Sequence, residues 1–203
     1  PPITELCGET IGAENSTYPC ALRARPAEAA DYELLWHVHF SCMKDVVTQV
    51  YGWDEDWQRN NFEARFLKSV GDGGLIHPTN PAGGTRLVLE VGGRTADAGE
   101  AKTFIWQPAG HVQVERLRND AQQISSIELH NLQVLPACQG RGIGTYILCE
   151  LQREARARNC PLNLQTHLLN VRARRLYHRV AFESTEETET HVKLRWSPDR
   201  HKI

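Results

Sequence analysis

The feature that most constrains this chain is the turn Gln139-Gly140-Arg141-Gly142-Ile143-Gly144-Thr145, which separates its clearest strand signal from its clearest helix signal. Upstream, Ile124 to Val134 reads as a strand that Pro136 ends. Downstream, Ile143, Ile147, Leu151 and Ala155 recur every four residues, which predicts an amphipathic helix over Gly142–Asn159. The first N–H groups of a helix have no internal partner and carry the positive end of its dipole. Glycines at such a junction let a ligand come close to the backbone, so the turn can cradle a pyrophosphate. It is not a nucleotide P-loop, because GxxxxGK[ST] is missing, and it is not GxGxxG, because Thr145-Tyr146-Ile147 stands where a third glycine would fall. Taken alone it could also be a Gly-rich turn with no ligand.

The rest of the chain supplies one domain's worth of elements. Residues 1–20 have no apolar period and read as a loose tail, and a single domain is expected over 21–203. Ala21–Arg25 is a short strand. Leu35, Val38, Cys42, Val46 and Val50 predict a helix from Ala27 to about Val50, and Asp54 can cap a second helix reaching about Lys68. Gly- and Pro-rich residues 71–84 form a loop, Thr85–Val91 a strand, and Gly92–Glu100 a turn-rich insertion. Thr103–Gln107 and Gly110–Arg116 read as further strand. Leu162, Leu164 and Thr166 alternate with polar residues in a half-buried strand, Val171–Val180 is a short helix, and Phe182–Glu187 with Thr190–Trp196 forms a terminal hairpin.

Composition excludes several classes. Hydrophobic residues make up 40% and charged residues 24%, and the formal net charge of −2 gives no global pull toward nucleic acid or anionic membrane. No stretch approaches the roughly 18 apolar residues a membrane span needs, and Pro1-Pro2-Ile3-Thr4 does not read as a signal peptide, so none is expected. Six cysteines without CxxC spacing suggest reduced thiols and a cytoplasmic setting, although a Cys7–Cys20 disulfide stays open. Asn15-Ser16-Thr17 is a sequon that matters only in a secretory compartment. Nine histidines include no HExxH or Cys/His zinc spacing, so no metal is expected. No Ser or Cys sits in a nucleophile elbow, and Cys138 is read as packing.

The Gly-rich turn resembles the acyl-CoA signature [QR]xxGx[GA] of the GNAT superfamily, filled by Gln139, Gly142 and Gly144. Its flanks extend the likeness. Leu132-Gln133-Val134-Leu135-Pro136 is similar to the family's strand before the motif, and Asn170-Val171-Arg172-Ala173-Arg174-Arg175-Leu176-Tyr177 followed by Phe182 is similar to its second signature. Arg25-Pro26-Ala27 with Asp31 resembles the usual opening, so the likeness covers about residues 21–196. Ala181 departs from it, standing where a Gly normally precedes Phe182.

The resemblance implies an α/β (α+β) fold with a central mixed, mostly antiparallel sheet splayed to hold acyl-CoA and flanked by helices. Carried over, the N–H groups of Gly140, Arg141, Gly142, Ile143, Gly144 and Thr145 would hold the pyrophosphate, with Gln139 in the same motif. The backbone of Leu132, Gln133 and Val134 would pair with the pantetheine arm, Asn170 would bond near it, and Tyr177 would face the sulfur. The implied activity is N-acetyl transfer from acetyl-CoA to a primary amine of a small molecule or peptide, by direct attack in a ternary complex. Such an attack needs a base for the amine proton, a donor for the carbonyl oxygen (a backbone N–H near Val134) and a donor for the leaving thiolate. Tyr177 fits the last role and otherwise anchors its helix as a packed aromatic, while Asn170 could also be that helix's N-cap.

Glu128 is the candidate base, with His130 on the same strand face by period-two alternation. Either could instead be an ordinary paired surface residue. The acceptor is expected near Tyr51, Trp53, Asp54, Glu55, Asp56 and Trp57, where aromatic faces and carboxylates suit a cationic amine. The plainer account of that segment is helix-start acids beside core aromatics. Arg153, Arg156, Arg158, Arg172, Arg174, Arg175 and Arg179 read as solvated helix faces, with Arg174 or Arg175 a candidate for the CoA 3′-phosphate. The partners are thus acetyl-CoA and an amine acceptor, with no membrane or nucleic acid expected and a homodimer left open. A non-catalytic acyl-CoA-binding module, or acylation of protein or RNA, is the alternative.

Overall fold

The computed structural model describes residues 21–70, 84–94 and 104–198. The tail with Cys7, Asn15 and Cys20, and most of the loop and insertion expected at 71–84 and 92–100, lie outside the described residues.

In chain order the elements are β1 (Ala21–Pro26), α1 (Tyr32–Tyr51), α2 (Glu55–Val70), β2 (Thr85–Arg94), β3 (Phe104–Arg118), β4 (Ile124–Val134), α3 (Ile143–Ala157), β5 (Leu162–His167), α4 (Val171–Arg179), β6 (Glu183–Glu187) and β7 (His191–Trp196). One seven-stranded sheet runs β1-β2-β3-β4-β5-β7-β6. Its pairs are antiparallel apart from β4 with β5, which is parallel. The mixed, mostly antiparallel α/β sheet expected from the sequence is therefore present.

Alternation along the strands divides the core. On β2, Leu87 and Leu89 face the larger cluster, which includes Ile143, Ile147, Leu148 and Leu151 of α3. Val88 faces the other way, into an aromatic cluster of Trp36 from α1 with Phe62 and Phe66 from α2. Sheet residues are thus covered on both faces, and polar side chains on β2 and β3 become interior groups.

One difference from the sequence reading has a local cause. Helix α1 starts at Tyr32, not Ala27, because Asp31 is engaged with what precedes it. Its carboxylate takes two 2.7 Å bonds from Arg25 and a 2.8 Å bond from the Glu28 N–H, so Ala29–Asp31 forms a separate 3₁₀ turn. Burial raises the Asp31 pKa, but these partners outweigh it and leave the carboxyl below its usual range. Phe104–Gln107 and Gly110–Arg116 lie on one continuous strand, β3. Between the pairs Glu90–Pro108 and Leu89–Gly110 the register shifts, leaving Ala109 as the extra residue of a bulge that absorbs the proline. The Ala109 carbonyl then accepts from the Leu135 N–H at 2.8 Å.

The feature that positions the site is the parting of β4 from β5. They pair only at Ile127–Leu162, Glu128–Asn163 and Leu129–Leu164, yet β4 runs on to Val134 and β5 to His167. Where pairing stops, the β3–β4 register also shifts, from Val114–Leu129 to Gln113–Asn131, with His130 extra. A bulge bends its strand and increases local twist, so the sheet opens beyond Leu129. Gly110 holds β3 close to this stretch, since a Cβ there would collide with the Gln133 carbonyl oxygen.

Candidate active site

The Gly-rich turn lies where β4 ends and α3 begins, beside the opening. Gly140 and Gly142 both have left-handed backbone, with φ of +78° and +82°, and Gly142 is the N-cap of α3. A Cβ on Gly140 would project into open space, whereas one on Gly144 would press on Leu176 of α4 at 3.1 Å. The turn thus combines an uncovered backbone, a helix N-terminus and tight packing against α4. Gln139 anchors it, because its Nε2 donates to the Val134 carbonyl at 2.7 Å and its Oε1 accepts from Arg172. Among the other arginines, Arg174 donates to the Leu168 carbonyl and Arg175 is exposed.

Two cavities adjoin along the parted strands, sharing Arg65, His130, Asn131 and Gln165. The smaller, about 370 Å³, takes in Leu132 and Gln133 of β4, Asn170 and Tyr177. Tyr177 is buried, with its pKa pushed up to about 12 by loss of solvent, so the phenol is protonated at neutral pH. Asn170 does cap α4, its Oδ1 accepting from the Ala173 N–H at 3.2 Å. The larger cavity, about 790 Å³, takes in Glu128 and Asn163. Oε1 of Glu128 accepts from Ser126 Oγ at 2.9 Å and from Asn163 Nδ2 at 2.7 Å. His130 lines both cavities and meets Oε2 of Glu115 at 2.8 Å.

The smaller cavity has a polar floor. His111 Nε2 lies 2.9 Å from Gln133 Oε1, and Gln133 Nε2 lies 3.3 Å from His39 Nδ1. An amide oxygen only accepts, so His111 carries its proton on Nε2. Burial pulls the His111 pKa down to about 3 and that of His39 to about 4, with Arg86 adding to both shifts, so both rings are neutral. Arg86 Nη2 donates to Gln113 Oε1 at 2.8 Å.

The Acetyltransferase (GNAT) family model matches residues 53–182, more than half of the chain. The chain belongs to the GNAT acetyltransferase family. Solved structures agree on the fold. A domain from Methanocaldococcus jannaschii aligns at a TM-score of 0.59 and 14% identity, covering 88% of this chain and 99% of the other. The PaiA N-acetyltransferase of Thermoplasma acidophilum, in complex with coenzyme A, aligns at 0.57 and 16% identity, covering 87% and 98%. The ribosomal-protein-S18-alanine N-acetyltransferase of Escherichia coli aligns at 0.50 and 15%, covering 87% and 93%. No curated protein matches the chain.

The segment expected to meet the acceptor divides in two. Tyr51, 61% exposed, lines the smaller cavity 5.9 Å from the His167 ring. Trp53 and Asp54 line neither cavity. Trp53 packs on Phe40 and Trp36 at 5.5 and 6.3 Å, and Asp54 accepts from the Trp57 N–H at 2.9 Å as the cap of α2. Glu55 and Asp56 are exposed. Three polar residues that line the smaller cavity, His39, Arg86 and His111, were missed as site residues. A usable signal was present: alternation gives β2 and β3 a polar face at Arg86, His111 and Gln113, which a sheet covered on both sides must bury.

The departure at Ala181 falls on the turn after α4. Ala181 has φ of +65°. Its N–H bonds the His178 carbonyl, and the Phe182 N–H bonds the Tyr177 carbonyl, both at 3.0 Å. With the Tyr177 and Phe182 rings 5.9 Å apart, this is a Schellman motif with alanine in the position that favours glycine. Among the described residues no helix is long and apolar enough to cross a membrane, and no group of three or more His, Cys, Asp or Glu could hold a metal.

Proposed function

We propose that this chain is an N-acetyltransferase that takes acetyl-CoA and a primary amine into one ternary complex. The observation that carries this reading is the opening between β4 and β5, with the Gly-rich turn at its end and Tyr177 in its cavity. The residues fit the cofactor, since Gly140 leaves open space over left-handed backbone at the start of α3. The amides of Gly140–Thr145 would hold the pyrophosphate, and β4 beyond Leu129, which has no strand partner on that side, would pair with the pantetheine arm. Asn170 lies beside that path.

Bound acetyl-CoA supplies an acyl thioester. The amine nitrogen bonds its carbonyl carbon, the carbon–sulfur bond breaks, the thiolate leaves and the nitrogen gives up a proton. Tyr177 donates a hydrogen bond to the departing sulfur. With its pKa near 12, above the roughly 8.5 of an ordinary thiol, it favours sharing its proton with the thiolate over full transfer. A peptide N–H near Val134 would meet the charge that develops on the carbonyl oxygen. Glu128 receives the amine proton through water, past His130, which lines both cavities.

The test is a screen of amine pools with acetyl-CoA, reading CoA release and acetylated product together, on wild type and Tyr177→Phe. Wild type should acetylate at least one amine class. Tyr177→Phe should lower turnover about 10- to 100-fold while acetyl-CoA affinity stays within a few-fold. Binding of acetyl-CoA without turnover of any amine would sink the enzyme reading in favour of a binding module.

A further inference from the structure

We infer that the acceptor is a zwitterion, an amine that also carries a carboxylate, and that Arg86 is the residue that receives the carboxylate. The inference rests on the N-acetyltransferase reading and deepens it. Arg86 is 3% exposed on β2 and lines the smaller cavity. Only Nη2 has a hydrogen-bond partner, Gln113, while Nε and Nη1 are buried with none. Phe62 and Phe66 lie 5.6 and 5.7 Å from the guanidinium carbon, so its other neighbours are aromatic faces. Among the described residues no carboxylate lines this cavity, and Arg65 adds a second cation to it. A buried guanidinium without an anion is costly, since one hydrogen bond and two aromatic faces return only part of the hydration it loses.

A second orphan sits beside it. His111, 1% exposed in the same cavity, spends its Nε2 proton on Gln133, and its Nδ1 is buried without a partner. In that tautomer Nδ1 is a bare acceptor. One wall of the cavity therefore lacks an anion with acceptor oxygens, and the same wall lacks an N–H donor. An amino acid supplies both from one molecule. The donor groups of Arg86 suit a carboxylate, and Nδ1 of His111 can take an N–H of the amine and orient its lone pair. The volume of about 370 Å³ holds a small amino acid together with the acyl end of the donor. The carboxylates of Asp54, Glu55 and Asp56, which suggested a purely cationic acceptor, lie outside the cavity.

Glycine, β-alanine, γ-aminobutyrate and the common α-amino acids are each assayed against their carboxamides with acetyl-CoA. The best acid should exceed its carboxamide by about 30-fold or more in kcat/KM, the scale of a desolvated charge pair. In Arg86→Gln that ratio should fall to within about 3-fold, mainly through KM, and Arg86→Lys should recover part of it. Binding gives a readout free of turnover. N-acetylglycine, and not N-acetylglycinamide, should raise the melting temperature of wild type and leave Arg86→Gln unmoved. Folding is not at risk, because removing an unpaired buried charge should keep or raise the melting temperature of the free protein.

Equal rates for acids and carboxamides, or a preference that survives in Arg86→Gln, would overturn the inference while leaving N-acetylation standing. A carboxylate could also enter on the acyl donor, so succinyl-CoA is run beside acetyl-CoA. If Arg86 governs the choice of donor and not the choice of acceptor, the acceptor assignment is wrong. If no amine is acetylated, the N-acetyltransferase reading fails, and the melting shift alone decides whether Arg86 binds carboxylates.

Discussion

The turn after α4 permits a test in which physics and architecture meet at one atom. Ala181 holds φ of +65°, a conformation that crowds Cβ of an L-residue against the following carbonyl at a cost of about 1–2 kcal/mol. The residue is exposed, so its methyl group offsets none of this by burial. Glycine removes the crowding but loses more backbone freedom on folding, about 0.5–1 kcal/mol. Ala181→Gly should therefore stabilise the protein by a net ~0.5–1 kcal/mol, or roughly 1–4 °C in melting temperature for a chain of this size. Urea denaturation should show a higher midpoint with an unchanged slope, because the surface exposed on unfolding is the same. Ala181→Val, β-branched at the same φ, should move the midpoint the other way. An Ala181→Gly midpoint equal to or below wild type would refute the argument. It would mean that the left-handed geometry carries no strain here, or that the methyl group has a partner in solution.

The remaining predictions bear on the site and its surroundings. Gly142→Asp adds a carboxylate at the N-cap of α3 and should weaken acetyl-CoA binding by about tenfold or more; a folded variant with wild-type affinity in calorimetry would remove the turn from the cofactor site. Glu128→Gln should depress turnover strongly at neutral pH and recover part of it at higher pH, where more amine is deprotonated, while His130→Gln changes little; reversed sensitivities would make His130 the base, and two unaffected variants would exclude both. His39 and His111 titrate near 4 and 3 in the folded chain against about 6.5 unfolded, so acid favours the unfolded state. Stability should be complete above about pH 6.5 and fall as pH drops toward 4, on the order of 3 kcal/mol from His39 alone; His39→Gln should flatten that decline in melting curves taken across pH.

How much of this was legible in the sequence follows from what each signal encodes. Strand β4, the Gly-rich turn and α3 were readable because each rests on a local rule: period two, left-handed glycine, then period four. Asn170 as a cap and Asp54 as a cap were readable for the same reason. The start of α1 was not, because Arg25 and Asp31 decide it through a tertiary ion pair that outweighs the helical period. The bulge at Ala109 was not legible either, because it shows only once β2 is laid beside β3. The wall that Arg86 and His111 form was legible only through the alternation of two strands taken together. Arg86 and His111 are far apart in sequence, and on separate strands each looks like an ordinary outward polar residue. They become buried neighbours only because α1 and α2 cover the face they share, whereas of the acids at the start of α2, far more conspicuous in the sequence, Asp54 caps the helix and Glu55 and Asp56 are exposed outside the cavity's lining. A cluster of charge in sequence marks a place where water is available. A site that must strip water from its ligand is built from isolated polar residues on interior strands, and Arg86, held among aromatic rings without an anion, is such a residue.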